Sequence, residues 1–281
     1  MPSKLSDQEL IAALNALGPW HHQIQLRGEI SSATERSTDA TGDKPSLVNV
    51  ARSFEQQVGQ VFPDGLHGKS FLDCACNCGG YSFLAKDHGA TRVLGFDVRD
   101  HWIDQAKFIA EHRDADSSGI EFRTADLLNI GGLQEKFDVT WFSGILYHLP
   151  DPVASLKLAA DRTREIILVN TFCDWLAPGA VENPSLTYKK EGTQQLMSGV
   201  HEMSWLPSGP KVIKHMLNWM GFAETKTVGW NQAPEGQKDP ARPNGRIYAR
   251  VSVVASREVG RLEGVRNIGQ PRETVPQFQR A

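Results

Sequence analysis

From residue 69 onward the chain alternates strand-length apolar runs with amphipathic helical patterns, and this alternation constrains the fold more than any other feature. KSFLDCA, RVLGFD, IEFRTAD, FDVTWFSG and REIILVNTF have the length and the β-branched and aromatic content of buried strands. Between them, YSFLAKDHG (81–89), DHWIDQAKFIAEHR (100–113) and DPVASLKLAADR (151–162) carry apolar residues at helical spacing. Trp102, Ala106 and Ile109 mark the stripe in the second of these. Strands and helices in strict alternation bury their apolar faces as a parallel sheet covered by helices. GPKVIKHMLNWMGF (209–222) is a further helix with Val212, Ile213, Met216, Leu217 and Met220 on one face, a core stripe. Two more strand patterns, AETKTVGW and RIYARVSVVASR, follow it. The fold class is α/β with seven strand candidates.

The flanks read differently. Ser6 and Glu9 form a capping box before Leu10, Leu14 and Leu17, and Gly18-Pro19 closes that helix. Residues 20–45 are polar and rich in turn formers, a loop or lid with little regular structure, and 47–63 is helical and ends at a proline. Regularity lapses again over 173–208, a stretch long enough to be functional or partly helical. The chain therefore divides into an N-terminal helical segment and lid (1–63), a core domain (64–257) with an insert at 173–208, and a polar C-terminal tail (258–281). No apolar run approaches the roughly 20 residues of a membrane span, and no leader pattern opens the chain, so the expected location is cytoplasmic. A formal charge of -3 without a basic block disfavours a nucleic-acid partner. The sequence leaves a homodimer open.

Ligands of open parallel sheets collect at the carboxyl ends of the strands. The first core strand runs into DCACNCGG (73–80) and then a helix. A ligand-approaching turn at this position needs small residues and left-handed backbone; Gly79 and Gly80 supply both, Ala75 is small, and Asn77 tolerates the left-handed region. Free N–H groups at the start of the next helix are then available to a carboxylate or phosphate. Asp97 ends the second strand about 18 residues past the turn, suited to both hydroxyls of a ribose. Asp126 ends the third, where it can accept from an adenine amine while Leu127 packs on the ring. Ser143, Gly144, Tyr147 and His148 follow the fourth. Three carboxylates at three successive strand ends around a glycine turn describe an adenosine pocket.

LDCACNCGGYSFLAKDHGATRVLGFD, QAKFIAEHR and FDVTWFSGILYHLPDP, in that order, resemble a class I S-adenosylmethionine-dependent methyltransferase. The resemblance is narrower toward the branch that contains the tRNA wobble-uridine carboxymethyltransferase and many small-molecule methyltransferases. It covers about residues 69–170, and WLPSGPKVIKHMLNWMGF resembles that branch's last helix. Ala75 and Asn77 stand where the wider family has glycines, and Asn170-Thr171 where the branch has Glu-Thr. The resemblance implies a Rossmann-like sheet whose last strand inserts antiparallel, with S-adenosyl-L-methionine as cofactor. It implies that Asp73, Ala75, Asn77 and Gly79 hold the methionine part, Asp97 the ribose with Val98 beside it, and Asp126 and Leu127 the adenine. Tyr81 and Ser143 complete the cofactor set, and Tyr147, Trp20 and Tyr81 offer aromatic faces to a sulfonium.

Reactive side chains have simpler readings beside their functional ones. Cys74, Cys76 and Cys78 are one residue apart, closer than zinc pairs, and are read as packing fillers, with no metal. His148 is the candidate general base, against a role in shaping the pocket alone. Tyr147 is the second catalytic candidate and more simply a wall. Trp20, His21 and His22 are read as a lid toward the acceptor, against plain packing, and Glu202 and Trp205 as acceptor contacts from the insert. The expected activity is methyl transfer to a hydroxyl, less readily a nitrogen, of a small metabolite such as a sugar or natural-product scaffold. The alternatives are a tRNA wobble-uridine (carboxy)methyltransferase and a catalytically silent cofactor-binding protein.

Overall fold

The computed structural model describes residues 5–32, 50–174, 184–191, 197–232 and 248–268. In chain order the elements are α1 (Asp7–Leu17), β1 (Gln25–Arg27), β2 (Ile30–Ser31), α2 (Val50–Val61), β3 (Ser70–Cys74), α3 (Gly80–Asp87), β4 (Arg92–Asp97), α4 (Asp100–His112), β5 (Ile120–Thr124), β6 (Phe137–Ser143), α5 (Pro152–Asp161), β7 (Thr163–Asp174), β8 (Leu186–Lys190), β9 (Met203–Pro207), α6 (Pro210–Trp219), β10 (Glu224–Gln232) and β11 (Tyr248–Ser256). The seven core strands form one sheet in the order β10-β11-β7-β6-β3-β4-β5. Strands β3 to β7 pair in parallel, while β11 lies between β7 and β10 and is antiparallel to both. This is the Rossmann-like arrangement that the resemblance implied. Strand order reverses beside β3, so the crevice opens at the carboxyl ends of β3 and β6.

The continuous apolar runs have a direct cause: alternate residues of a strand face opposite sides, and both sides are covered. Phe71, Val93, Trp141 and Leu168 join one core with α2 residues such as Phe54. Their chain neighbours Leu72, Leu94, Phe142 and Val169 join the other, with Leu156 of α5 and Ile213 and Leu217 of α6. A third cluster sets Leu10 and Leu14 of α1 and Trp20 against Trp102, Ile103 and Ala106 of α4. Full burial of each large side chain stabilises the fold by about 1.5–3 kcal/mol. The Ser6–Glu9 capping box is present at α1, with the Ser6 amide donating to Glu9 at 2.8 Å.

Two expectations need correction. The segment after α1 contains the small antiparallel hairpin β1–β2 where a loop was expected. Among its described residues the insert contains a second hairpin, β8–β9, where helix was one of the expectations. Leu186-Thr-Tyr-Lys-Lys190 leaves most of its residues exposed on both faces, so it lacks the period-two signal that marks a half-buried strand. Within the remaining flanks, residues 33–49, 175–183, 192–196 and 269–281 lie outside the described residues, as does part of each flanking expectation that fell on them.

Candidate active site

The turn after β3 is left-handed at every second residue: Ala75 (φ 56), Asn77 (φ 52) and Gly79 (φ 83). That alternation sends the intervening side chains inward. Cys74, Cys76 and Cys78 are each 0% exposed, and burial pushes their thiols up, Cys78 to about 12. Protonated thiols in a packed turn behave as small apolar fillers. Among the described residues no group of three His, Cys, Asp or Glu side chains has metal-binding geometry. The turn is pinned by the Cys76 amide to the Phe96 carbonyl, at 2.9 Å, and by the Cys78 amide to the Asn77 side-chain oxygen, at 2.8 Å.

One part of the turn departs from the expectation of free helix N–H groups. The Gly80 amide donates to Nδ1 of His22 at 3.2 Å. Burial, with the neighbouring His21 ring, holds His22 well below the ordinary imidazole value, so a neutral ring caps α3 from 58 residues away in the chain. The structure therefore places His22 beneath the turn. Trp20 is also inside, 5% exposed, with its indole N–H donating to the Leu14 carbonyl at 2.8 Å. Of the three expected lid residues, these two are packed into the scaffold.

Each of the three strand-end carboxylates has its own partner. Asp73 is 1% exposed and accepts from Ser82 Oγ at 2.7 Å; burial pushes its carboxyl up to about 7, Ser82 opposing and Asp97 adding to the rise. Asp97 accepts the Asn77 amide and the Arg99 amide, both at 3.1 Å, which ties β4 to the turn; burial raises its pKa against these bonds. Asp126 accepts the Leu128 amide at 2.9 Å and caps a short 3-10 turn whose Leu127 is buried. Val98 is 37% exposed beside Asp97.

After β6, Ser143 pairs with Asn170 in register, and Gly144 (φ 76) turns the chain into Leu146–His148. The Tyr147 and His148 rings lie 4.1 Å apart, and Tyr147 meets Phe172 edge-on at 5.0 Å. Arg250 of β11 sits over the Phe172 ring at 4.6 Å and reaches Tyr147 Oη with Nη2 at 3.5 Å. Its Nε is buried without a hydrogen-bond partner among the described residues. Burial pushes the Tyr147 phenol up, with Arg250 opposing, so this hydroxyl is protonated near neutrality. Burial and the Arg250 charge hold His21 at about 4, a neutral ring. Sequence reasoning missed Arg250, whose only signal is a lone cation inside a closing strand of mainly apolar residues.

The insert reaches the same place. Glu191, just after β8, meets His148 Nδ1 at 2.5 Å. Beyond it, Arg99 Nη2 donates to the Ser198 carbonyl at 2.9 Å, Asn77 Nδ2 faces Met197 Sδ at 3.8 Å, and His201 lies 3.7 Å from Asp126. The loop at the hairpin's end thus touches groups at the carboxyl ends of β3, β4, β5 and β6 in turn. Glu202, singled out from the sequence, is exposed and left-handed (φ 57), its carbonyl accepting the Glu191 amide. Trp205 donates to the Pro150 carbonyl at 3.1 Å and packs on Tyr188, which braces the hairpin against the His148 loop. Glu191 escaped sequence reasoning because nothing in KKEGTQQ sets it apart from a solvated charge.

Comparison with known proteins agrees with this fold. Residues 66–230 match a family model described as a methyltransferase domain. A tRNA U34 carboxymethyltransferase of Aliarcobacter butzleri is 31% identical over 168 residues, 58% of this chain and 50% of that protein. One of Campylobacter hominis is 35% identical over 92 residues, 33% of this chain and 31% of that protein. The chain thus spans only about a third to a half of the length of these curated relatives. In fold, it matches the crystal structure of the N-terminal domain of EvdMO1 in the presence of SAH and D-fucose. The TM-score is 0.65 at 20% identity, over 90% of this chain and 97% of that one. No helix among the described residues is long and apolar enough to cross a membrane. With more than half of its length inside the matched model, the chain belongs to the methyltransferase-domain family and carries the class I fold of the S-adenosylmethionine-dependent enzymes.

Proposed function

We propose that the crevice binds S-adenosyl-L-methionine and that the protein transfers its methyl group to a hydroxyl of a small metabolite, a sugar or a natural-product scaffold. The observation that carries this reading is the left-handed turn Ala75-Asn77-Gly79, tied to Asp97 and standing at the end of β3 next to β6, the strand that leads into the Tyr147–His148 pair. In it, the turn from Asp73 to Gly79, with Tyr81, takes the methionine moiety. Asp97, beside Val98, accepts from the ribose, and Asp126 with Leu127 takes the adenine. Ser143 lies at the strand end between cofactor and acceptor. His148 removes the acceptor's proton as the oxygen forms its bond to the methyl carbon. The carbon–sulfur bond breaks and its electron pair stays on sulfur. The sulfonium is already activated, so alignment for in-line displacement is the protein's main contribution. Tyr147, protonated and packed between His148 and Phe172, is a wall of this site rather than its base. The EvdMO1 domain, observed with SAH and D-fucose, supports a sugar as the acceptor class.

A second reading, a carboxymethyl donor and a tRNA acceptor, draws on the names of the curated relatives and on one observation. Arg250, half-buried, with its Nη2 at Tyr147 Oη and its Nε buried without a hydrogen-bond partner among the described residues, puts a positive charge near the expected sulfonium, which favours an anionic group in the crevice. Calorimetry separates the two. S-adenosylmethionine binding at micromolar affinity, with S-adenosylhomocysteine released on a sugar panel, supports the first. Preference for a carboxylated donor that disappears in Arg250→Met, with salt-dependent tRNA binding, supports the second. NAD binding without S-adenosylmethionine binding overturns both.

A further inference from the structure

We infer that Glu191 is the positioning residue for His148, holding its imidazole in the tautomer that presents a bare Nε2 to the acceptor. The inference rests on the proposed role of His148 as base. Glu191 Oε1 lies 2.5 Å from His148 Nδ1, while Glu191 Oε2 accepts the Gly199 amide at 3.0 Å and the Glu191 amide donates to the Glu202 carbonyl at 3.0 Å. One carboxylate oxygen and the backbone of Glu191 are therefore held, at the mouth of the β8–β9 hairpin, independently of the ring. The Glu191 and His148 side chains are 12% and 23% exposed, so the pair is largely sheltered from water while part of the ring remains open.

The charge state fits. Burial works against the Glu191 carboxylate, but the His148 ring, the Gly199 amide and Lys189 outweigh it and hold the group below the ordinary glutamate value. Arg99 also feels the Glu191 charge, and Tyr147 flanks the ring. An ionised carboxylate can only accept, so Nδ1 carries the hydrogen, and in the neutral ring the lone pair lies on Nε2 at the opposite edge. When Nε2 takes the acceptor's proton, the new imidazolium sits against a fixed negative charge. Glu191 itself takes no proton. The Tyr147 ring, 4.1 Å from that of His148, restricts rotation of the plane.

The test needs no acceptor. Long-range 15N–1H spectra of histidine-labelled protein with S-adenosylhomocysteine, assigned with His148→Gln, report which ring nitrogen of His148 carries the hydrogen at pH 8. Wild type is expected in the Nδ1–H form. Glu191→Ala is expected to lose that form, while binding S-adenosylhomocysteine within twofold of wild type. Glu191→Gln, which keeps an acceptor oxygen, is expected to restore the tautomer. An Nε2–H form in wild type, or an unchanged tautomer in Glu191→Ala, overturns the inference. So does a loss of cofactor affinity that accompanies the tautomer change, since Glu191 would then be bracing the site as a whole. The wild-type spectrum alone decides the tautomer where a variant fails to fold. Absence of S-adenosylhomocysteine binding by wild type refutes the methyltransferase reading separately, because the ring spectrum can be recorded without it.

Discussion

Ala75→Gly and Gly79→Ala exchange the same two residue types at two left-handed positions of one turn, and they are expected to act with opposite sign. An L-residue with a Cβ in the left-handed region costs about 1–2 kcal/mol, while a glycine gives up about 0.5–1 kcal/mol of extra chain entropy on folding. At Ala75 (φ 56) the strain is already present, so glycine relieves it, less the entropy and about 0.4 kcal/mol for half of a buried methyl. The balance is stabilisation of roughly 0–1 kcal/mol. At Gly79 (φ 83) alanine gains the strain and also meets the Phe122 ring, with Cζ 2.7 Å and Cε1 2.9 Å from the added Cβ. Phe122 is buried, so relief requires shifting a packed ring, at about 1–3 kcal/mol. The sum, less the entropy gain, is a loss of roughly 1–4 kcal/mol. Urea unfolding followed by fluorescence measures both variants, and S-adenosylhomocysteine calorimetry should show Gly79→Ala weakened by tenfold or more. A neutral Gly79→Ala, or an Ala75→Gly that destabilises by more than about 1 kcal/mol, would refute the account of the turn.

Other outcomes follow from the same site. Asp73 binds its proton more tightly folded (about 7) than unfolded (3.8), so its contribution to stability is highest below pH 4 and falls as pH rises toward 7. Asp73→Asn should therefore raise the urea midpoint of the ligand-free protein at pH 8, by up to about 4 kcal/mol in free energy, and barely move it at pH 4. All four cysteines are buried, so a thiol reagent at pH 8 should titrate them only after unfolding, and reaction in the native state would count against the filler role. His22→Ala leaves the Gly80 amide without its acceptor and should cost about 1–3 kcal/mol, read from thermal unfolding; full stability would mean that the cap contributes nothing.

The sheet was readable because its strands are buried on both faces, which writes them into the sequence as continuous apolar runs such as KSFLDCA and FDVTWFSG. The turn was readable because its glycines and asparagine report a backbone requirement directly. The alternation that turns three cysteines inward was not, since it depends on Ala75 accepting a conformation that its identity does not announce. Hairpin β8–β9 was missed because a strand supported by one neighbour and exposed on its faces carries no periodic signal. Glu191 and Arg250 were missed for a related reason: each is an ordinary charge in sequence, and only the fold brings it to Tyr147 and His148. His22 was singled out as a lid residue from its neighbours in the chain, but its ring is directed to the Gly80 amide.

That ring also separates two meanings of the word domain. The recognisable family segment ends at residues 66 and 230, yet the acceptor that caps its first helix is His22, and β11, the strand between β7 and β10, is Tyr248–Ser256. A fragment cut to the recognised boundaries would keep the residues that identify it and lose one of the sheet's inner strands and the cap under its binding turn. Swapping that segment between relatives would require the flanks to be exchanged with it, because inheritance of this site extends over a longer stretch than the similarity that reveals it.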